Sequence, residues 1–127
     1  MRIVKGISIC AMFAICLLVL HGCGGKKADE KKPLSEVKTE AGKMDVGQLR
    51  DMAMAYKEMI VAKKADVDKV AAKLKEIPIA KMVGDETKQL KTEVENLANS
   101  ISALRERFEI YYQKLKEKGG DLSGLEL

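Results

Sequence analysis

The sequence predicts an all-α protein whose body is an antiparallel two-helix coiled-coil hairpin. Two long stretches carry apolar residues at alternating spacings of three and four, which is the heptad pattern of helices packed along their length. The stretches are similar in length and a short connection containing Pro78 separates them, so the helices are expected to run in opposite directions. A cleaved signal peptide and a disordered tether are expected to precede this hairpin.

Residues 1–22 have the composition of a signal peptide. Arg2 and Lys5 supply positive charge at the start, and residues 7–20 carry no charged side chain. An apolar run of about 14 residues is shorter than the roughly 20 that a membrane-spanning helix needs. We therefore predict a cleaved signal peptide rather than an N-terminal membrane helix.

The apolar run closes on Leu20-His21-Gly22-Cys23. These four residues resemble the lipobox of bacterial lipoproteins, with a leucine three positions before the cysteine and a small residue directly before it. The resemblance implies cleavage between Gly22 and Cys23 and attachment of fatty acyl chains such as palmitate to Cys23. Two or three acyl chains hold a protein stably on a membrane, whereas one holds it marginally. The alternative is an ordinary secretory signal with an incidental cysteine.

Cleavage would also remove chemically useful side chains. Cys10, Cys16 and His21 would leave with the signal peptide, and lipid would occupy the Cys23 thiol. The mature chain would then lack a thiol for a disulfide and an imidazole for general-base catalysis or a histidine metal site. We therefore expect a protein that is not an enzyme and that carries no metal or cofactor.

The charge balance of the mature chain argues against nucleic acid as a partner. Loss of Arg2 and Lys5 from the 23 basic residues leaves nearly equal numbers of basic and acidic side chains, since the chain has 19 acidic residues. A near-neutral helical body that keeps only Phe108 as a phenylalanine lacks the basic, aromatic face of such binders.

The lipidated cysteine and the residues after it, 23–43, are predicted to form a flexible charged tether. This stretch is rich in Lys, Glu and Gly, contains Pro33, and offers few apolar side chains for burial. As an extended chain, 20 such residues would reach about 66 Å. Its lysines could contact anionic lipid, but the neighbouring acids favour a solvated spacer.

The hairpin is predicted to cover residues 44–118, with its first helix over about 45–77. Asp45 and Gln48 have the spacing of a capping box, and Ile77 is pushed out of helical geometry by Pro78. The only polar residue in the seam is Lys63, whose ammonium is expected to reach solvent. The seam positions are Val46, Leu49, Ala53, Tyr56, Ile60, Lys63, Val67, Val70, Leu74 and Ile77.

The second helix is predicted over about 85–118, with Asp85 as its N-cap and Gly119-Gly120 as its stop. Antiparallel pairing would gather Tyr56, Phe108 and Tyr111 at the open end, where we expect ordinary core. Periodicity equally allows two helices kinked at Pro78 and paired with another chain. The seam positions are Val83, Thr87, Leu90, Val94, Leu97, Ile101, Leu104, Phe108, Tyr111 and Leu115.

Some apolar residues of the first helix lie outside the seam and form a candidate partner face. A helix that is apolar on several faces is usually buried on several faces, which an isolated hairpin cannot achieve. The cover could be another copy, a different envelope protein, or the C-terminal tail, 119–127, which could equally be a frayed end. The candidate face consists of Met52, Met54, Met59 and Val61.

These features favour a lipid-anchored protein of the cell envelope, on the cell membrane or the outer membrane, with its body outside the cytoplasm. Its helical hairpin would make protein–protein contacts as a spacer or accessory subunit, with itself or with another envelope protein. The alternative is a periplasmic chaperone-like or amphiphile-binding helical module.

Overall fold

The computed structural model describes residues 27–127, which fold as an all-helical unit without strands. Three α helices follow one another, α1 (Leu34–Lys43), α2 (Val46–Glu76) and α3 (Asp85–Glu117), and a 3-10 turn at Ile79–Lys81 lies between α2 and α3. The all-α prediction is confirmed for this part of the chain.

Local signals set the ends of α2. The Asp45 carboxylate accepts a 2.8 Å hydrogen bond from the Gln48 amide, and the Gln48 side chain accepts a 3.2 Å bond from the Asp45 amide. These two bonds form the expected capping box. Ile77 before Pro78 has ψ 125°, so the helix stops there.

The ends of α3 differ slightly from expectation. Gly84 is the N-cap, and Asp85, predicted to be the cap, is the first helical residue. Its carboxylate still lies at the positive end of the helix dipole. At the other end Gly119 has φ 69°, a left-handed conformation that favours glycine, and the Gly120 amide donates to the Leu115 carbonyl at 2.9 Å. This closing pattern is a Schellman motif.

The long helices α2 and α3 lie side by side in opposite directions. Tyr56 and Tyr111 stack with ring centroids 5.5 Å apart, and the Lys118 ammonium donates to the Met44 carbonyl at 2.5 Å. The 3-10 turn joins the two helices at the far end. Both tyrosines are fully buried, so the aromatic cluster is packing core.

The predicted disordered tether is wrong for residues 34–43, which form α1 and pack against α3. Val37 and Ala41 of α1 are buried in the same core as Tyr56 and Leu104. The physical reason is an amphipathic spacing hidden in a polar composition, because positions i and i+4 share one face of a helix. The core is therefore built from three helices rather than two near the open end.

The C-terminal tail, residues 119–127, folds back onto α2. The side chain of Leu125 is 1% exposed, and Leu122 packs against the same core. Arg50 donates to the carbonyls of Asp121 and Ser123 at 2.5 and 2.8 Å, and Lys57 donates to Gly124 at 2.7 Å. Of the two outcomes that the sequence left open, the structure has the folded-back tail.

The buried tail leucine gives a test of this arrangement. Leu125→Ala should lower the free energy of unfolding by about 2–4 kcal/mol, because it removes buried methyl groups and leaves a cavity. The matched control is Leu127→Ala, whose side chain is 48% exposed and should matter by less than about 0.5 kcal/mol. Urea unfolding followed by circular dichroism measures both. Equal small losses would show that the tail does not contribute to the core.

Candidate interaction surfaces

Residues 27–33, here called the strap, cross the two long helices before α1 begins. The Tyr56 hydroxyl donates to the Asp29 carbonyl at 3.1 Å and accepts from the Asp29 amide at 3.2 Å. The guanidinium of Arg107 donates to the Lys32 carbonyl through Nε at 2.9 Å and through Nη2 at 2.5 Å. The strap is thus fixed by one side chain from each long helix.

A third attachment involves Glu30. Its carboxylate accepts a hydrogen bond from the Ser100 hydroxyl and lies 3.5 Å from the Lys63 ammonium. The Ser100 bond, with a smaller contribution from Lys63, lowers the pKa of Glu30 below its usual range, although partial burial opposes this. Lys63 was expected to extend to solvent; its ammonium pairs with the strap instead.

The structure distributes the candidate partner face over several environments. Met52 is 4% exposed, and Met54 and Met59 are partly buried against the core. Val61 is 52% exposed. Among these four residues, only Val61 offers more than half of its surface to a partner.

Met54 and Met59 lie on helix faces to which the two ends of the chain are attached. Met54 lies four residues after Arg50 and three before Lys57, so it shares the helix face on which both side chains hold the tail. Met59 lies four residues before Lys63, on the face where the strap is attached. The extra apolar residues therefore pack against parts of the same chain.

The part of α2 and α3 next to the 3-10 turn is not attached to the strap, α1 or the tail by hydrogen bonds or ion pairs among residues 27–127. Every hydrogen bond and ion pair between side chains of the long helices and residues 27–43 or 119–127 lies either at Lys63 and Ser100 or between them and the open end, where α2 begins and α3 ends. Beyond them α2 and α3 form what is here called the distal arm, residues 64–99. Val70 is buried there, whereas Val67, Leu74 and Leu97 keep part of their surface exposed.

The end of the distal arm is apolar and open to solvent. Ile79 is 87% exposed, Val83 is 84% exposed, and Met82 between them is 48% exposed. Residues 77–84 contain a single charged side chain, Lys81. Clustered apolar side chains at such exposure mark a contact site more often than isolated ones do.

Two clefts flank α1 and differ in charge. One, here called the basic cleft, has a volume of about 370 Å³ and is lined by Lys27, Lys32, Glu40, Lys43, Met44, Gln48 and Met52. The other, here called the acidic cleft, has a volume of about 430 Å³ and is lined by Lys38, Ala41, Glu106, Glu109, Ile110, Gln113, Lys114 and Glu117. One side of α1 therefore presents mainly ammonium groups and the other mainly carboxylates.

Ion pairs engage one lysine of the basic cleft and leave two others without a carboxylate among residues 27–127. Lys32 pairs with Glu40 at 2.5 Å and with Glu36 at 3.6 Å, and the Glu40 hydrogen bond raises the pKa of Lys32. Lys27 and Lys43 have no carboxylate within 4.0 Å among residues 27–127. Two cationic side chains at the basic cleft are thus available to an external anion.

Tyr111 carries a buried polar group. Among residues 27–127 the Tyr111 hydroxyl, which lies in the core, has no hydrogen-bond partner. Burial, followed by the neighbouring Tyr56, raises its pKa above the usual range. Within residues 27–127 no cluster of His, Cys, Asp and Glu has the arrangement of a metal site.

Gly22 and Cys23, the predicted cleavage and lipidation residues, lie outside the described residues. Among residues 27–127 no helix combines the length and the hydrophobicity that crossing a bilayer requires. Comparison of the chain with protein-family models, with curated proteins and with solved structures finds no match.

The Glu30 attachment gives a pH-dependent prediction. A carboxylate with a lowered folded-state pKa stabilises the fold above its unfolded pKa, near 4.5, and this contribution is lost as the pH falls through the folded value. Glu30→Gln should therefore lower the unfolding free energy at pH 7 by about 0.5–1 kcal/mol, and wild type and variant should converge at an acid pH below the folded-state pKa of Glu30.

Urea unfolding at both pH values checks this expectation. Glu58→Gln, which removes an exposed carboxylate of α2, controls for the loss of one negative charge. A difference between wild type and Glu30→Gln that persists unchanged at low pH would contradict the role given to the ionised carboxylate.

Proposed function

We propose that this protein is a lipid-anchored, non-enzymatic component of the cell envelope that makes protein–protein contacts with the end of a helical hairpin. The resemblance of residues 20–23 to a lipobox supports the anchor. The exposed apolar end of the distal arm is the observation that carries the contact function. On this proposal the anchor lies in the cell membrane or the outer membrane, and the body lies outside the cytoplasm.

The division of the chain supports this reading. Near the open end the strap, α1 and the tail cover the apolar surface of α2 and α3. The heptad seam continues into the distal arm, which we interpret as a two-helix coiled-coil hairpin. From Lys64 to Glu76, the α2 part of the distal arm extends about 18 Å at 1.5 Å per residue. An arm of this length suits a spacer or an accessory subunit that reaches its partner at a distance.

We place the proposed contact at the end of the distal arm rather than on the candidate partner face. Met52, Met54 and Met59 have cover from the chain itself, so a partner there would have to displace the strap or the tail. Ile79 and Val83 need no such rearrangement, and burying them would remove apolar surface from water. Another copy of the chain and a different envelope protein both remain suitable partners, whereas nucleic acid does not suit an apolar end.

An amphiphile-binding or chaperone-like module is the second candidate. Its support is the basic cleft, whose volume of about 370 Å³ lies in the range of small-ligand sites and whose lining includes Met44 and Met52. Both methionines are only 4% exposed, so little apolar surface faces the cleft opening. This weakens the cleft as an acyl-chain site relative to the arm as a contact site.

The anchor is tested by Cys23→Ser. We expect the variant to lose the lipid-derived mass of the mature N-terminal peptide and to leave the membrane fraction, because the predicted mature chain has no other thiol for acylation. Mass spectrometry of the purified protein and fractionation of cells measure the two outcomes. Cys16→Ser, which changes a cysteine inside the signal peptide, is the matched control. A wild-type mature chain without lipid mass would contradict the anchor.

The contact function is tested with a photo-crosslinking residue at position 79 of the full-length protein in cells. We expect a discrete adduct, either a dimer of the chain or one defined envelope protein, and we expect Val83→Asp to reduce its yield at least fivefold. Because Val83 is 84% exposed, the substitution should change stability by less than about 0.5 kcal/mol.

The matched control carries the crosslinker at position 61, the exposed member of the candidate partner face. Strong adducts from position 61 together with none from position 79 would place the interface on that face. They would contradict the assignment to the end of the arm.

A further inference from the structure

We propose that the basic cleft, with Lys27, Lys43 and Lys118 around it, rests on anionic phospholipid headgroups of the bilayer that holds the anchor. This inference rests on the proposed lipid anchor at Cys23 and adds the orientation of the folded body. The protein would thus contact its membrane through a folded surface as well as through acyl chains.

Chain length limits how far this surface can lie from the bilayer. Four residue steps separate Cys23 from Lys27, which lines the basic cleft. Fully extended, they span at most about 14 Å, compared with about 66 Å for the 20-residue tether that composition predicts. The reduction follows because the strap and α1 belong to the folded body. The cleft is therefore the part of the body that the anchor holds nearest to the headgroups.

The charges around the cleft suit an anionic surface. Lys27 and Lys43 line it, and the Lys118 ammonium lies 2.5 Å from the carbonyl of Met44, another lining residue. Glu40, the one carboxylate that lines the cleft, pairs with Lys32, so it does not neutralise Lys27 or Lys43. Each ammonium group close to an anionic membrane strengthens binding by about fivefold.

The acidic cleft on the other side of α1 disfavours the opposite orientation of the body on the membrane. Glu106, Glu109 and Glu117 outnumber Lys38 and Lys114 there. If the body turned this side toward anionic headgroups, like charges would face each other within a Debye length of about 8 Å at physiological salt. The short link to the anchor and the repulsion between the acidic cleft and anionic headgroups both favour an orientation with the basic cleft toward the membrane.

Lysine footprinting of the lipidated protein tests the orientation. The protein is reconstituted in vesicles of phosphatidylcholine alone or with about 30% phosphatidylglycerol, exposed to a water-soluble acylating reagent, and digested for mass spectrometry. In the anionic vesicles the acylation rates of Lys27, Lys43 and Lys118 should fall at least threefold relative to phosphatidylcholine, because headgroups shield them. The rates of Lys38 and Lys91 should stay equal in both vesicles.

A pair of variants separates charge recognition from simple tethering. Lys27→Gln with Lys43→Gln should abolish the protection of Lys118, since about 25-fold of surface attraction is removed. Lys38→Gln with Lys91→Gln removes the same charge away from the cleft and should leave that protection intact. Equal rates of Lys118 acylation in the two vesicle types for the wild-type protein would overturn the proposal, as would equal protection of Lys38.

The mass of the N-terminal peptide, measured in the same digest, keeps the two proposals apart. A peptide without lipid mass would refute the anchor, and with it this orientation. A lipidated peptide combined with unprotected Lys27 and Lys43 would leave the anchor standing and refute the orientation alone.

Discussion

The structure depends on how one buried charge is satisfied. Arg107 is 7% exposed, and its guanidinium donates to two backbone carbonyls, those of Lys32 and Ala103. A buried cation is costly unless its donors are hydrogen-bonded, so the Lys32 carbonyl is needed where it lies. Lys32 directly precedes Pro33 and α1, and fixing it fixes the start of that helix. The guanidinium thereby couples the first described residues to the middle of α3.

Once the strap is in place, the packing of the rest follows. Val37 and Ala41 reach the groove beside Tyr56 and Leu104, and a two-helix seam becomes a three-helix core near the open end. The tail closes another side through Leu125. Beyond Lys63 and Ser100 neither end of the chain makes a hydrogen bond or ion pair to the long helices, among the residues described. The same chain therefore has one part that is covered by its own ends and an arm that is not.

Much of the helical structure could be predicted from sequence because its signals are local. The three-four spacing, the Asp45 capping box and the stop before Pro78 each act within a few residues. α1 could not be predicted in this way, since its few apolar side chains are outnumbered by Lys, Glu and Gly. Val37 and Ala41 stabilise a helix only when α3 is present to bury them. The burial of Arg107 could not be predicted either, because a charged side chain on a heptad helix usually faces solvent.

The candidate surfaces show the same limit. The surplus of apolar residues on α2 could be read from the sequence, and so could the need to cover it. What covers Met52, Met54 and Met59 depends on contacts between residues distant in sequence, such as Arg50 with residues 121 and 123. The exposed end at Ile79 and Val83 was not predicted. Val83 was assigned to the seam of the second helix, but it lies before α3, in the connection at the far end of the two long helices, and is 84% exposed.

Attachment of the strap to the long helices also changes what a lipid anchor would do. A long free tether would let the body sample orientations and distances over tens of ångströms, so no surface would be held against the membrane. With the strap and α1 folded, only four residue steps separate Cys23 from the body. The charge of the face nearest to the anchor would then affect how the body binds the membrane. The contact of Arg107 with Lys32 thus bears on both proposed contacts, the one with a partner protein and the one with the membrane. It completes the core from which the distal arm extends, and it shortens the link that would hold the basic cleft at the bilayer.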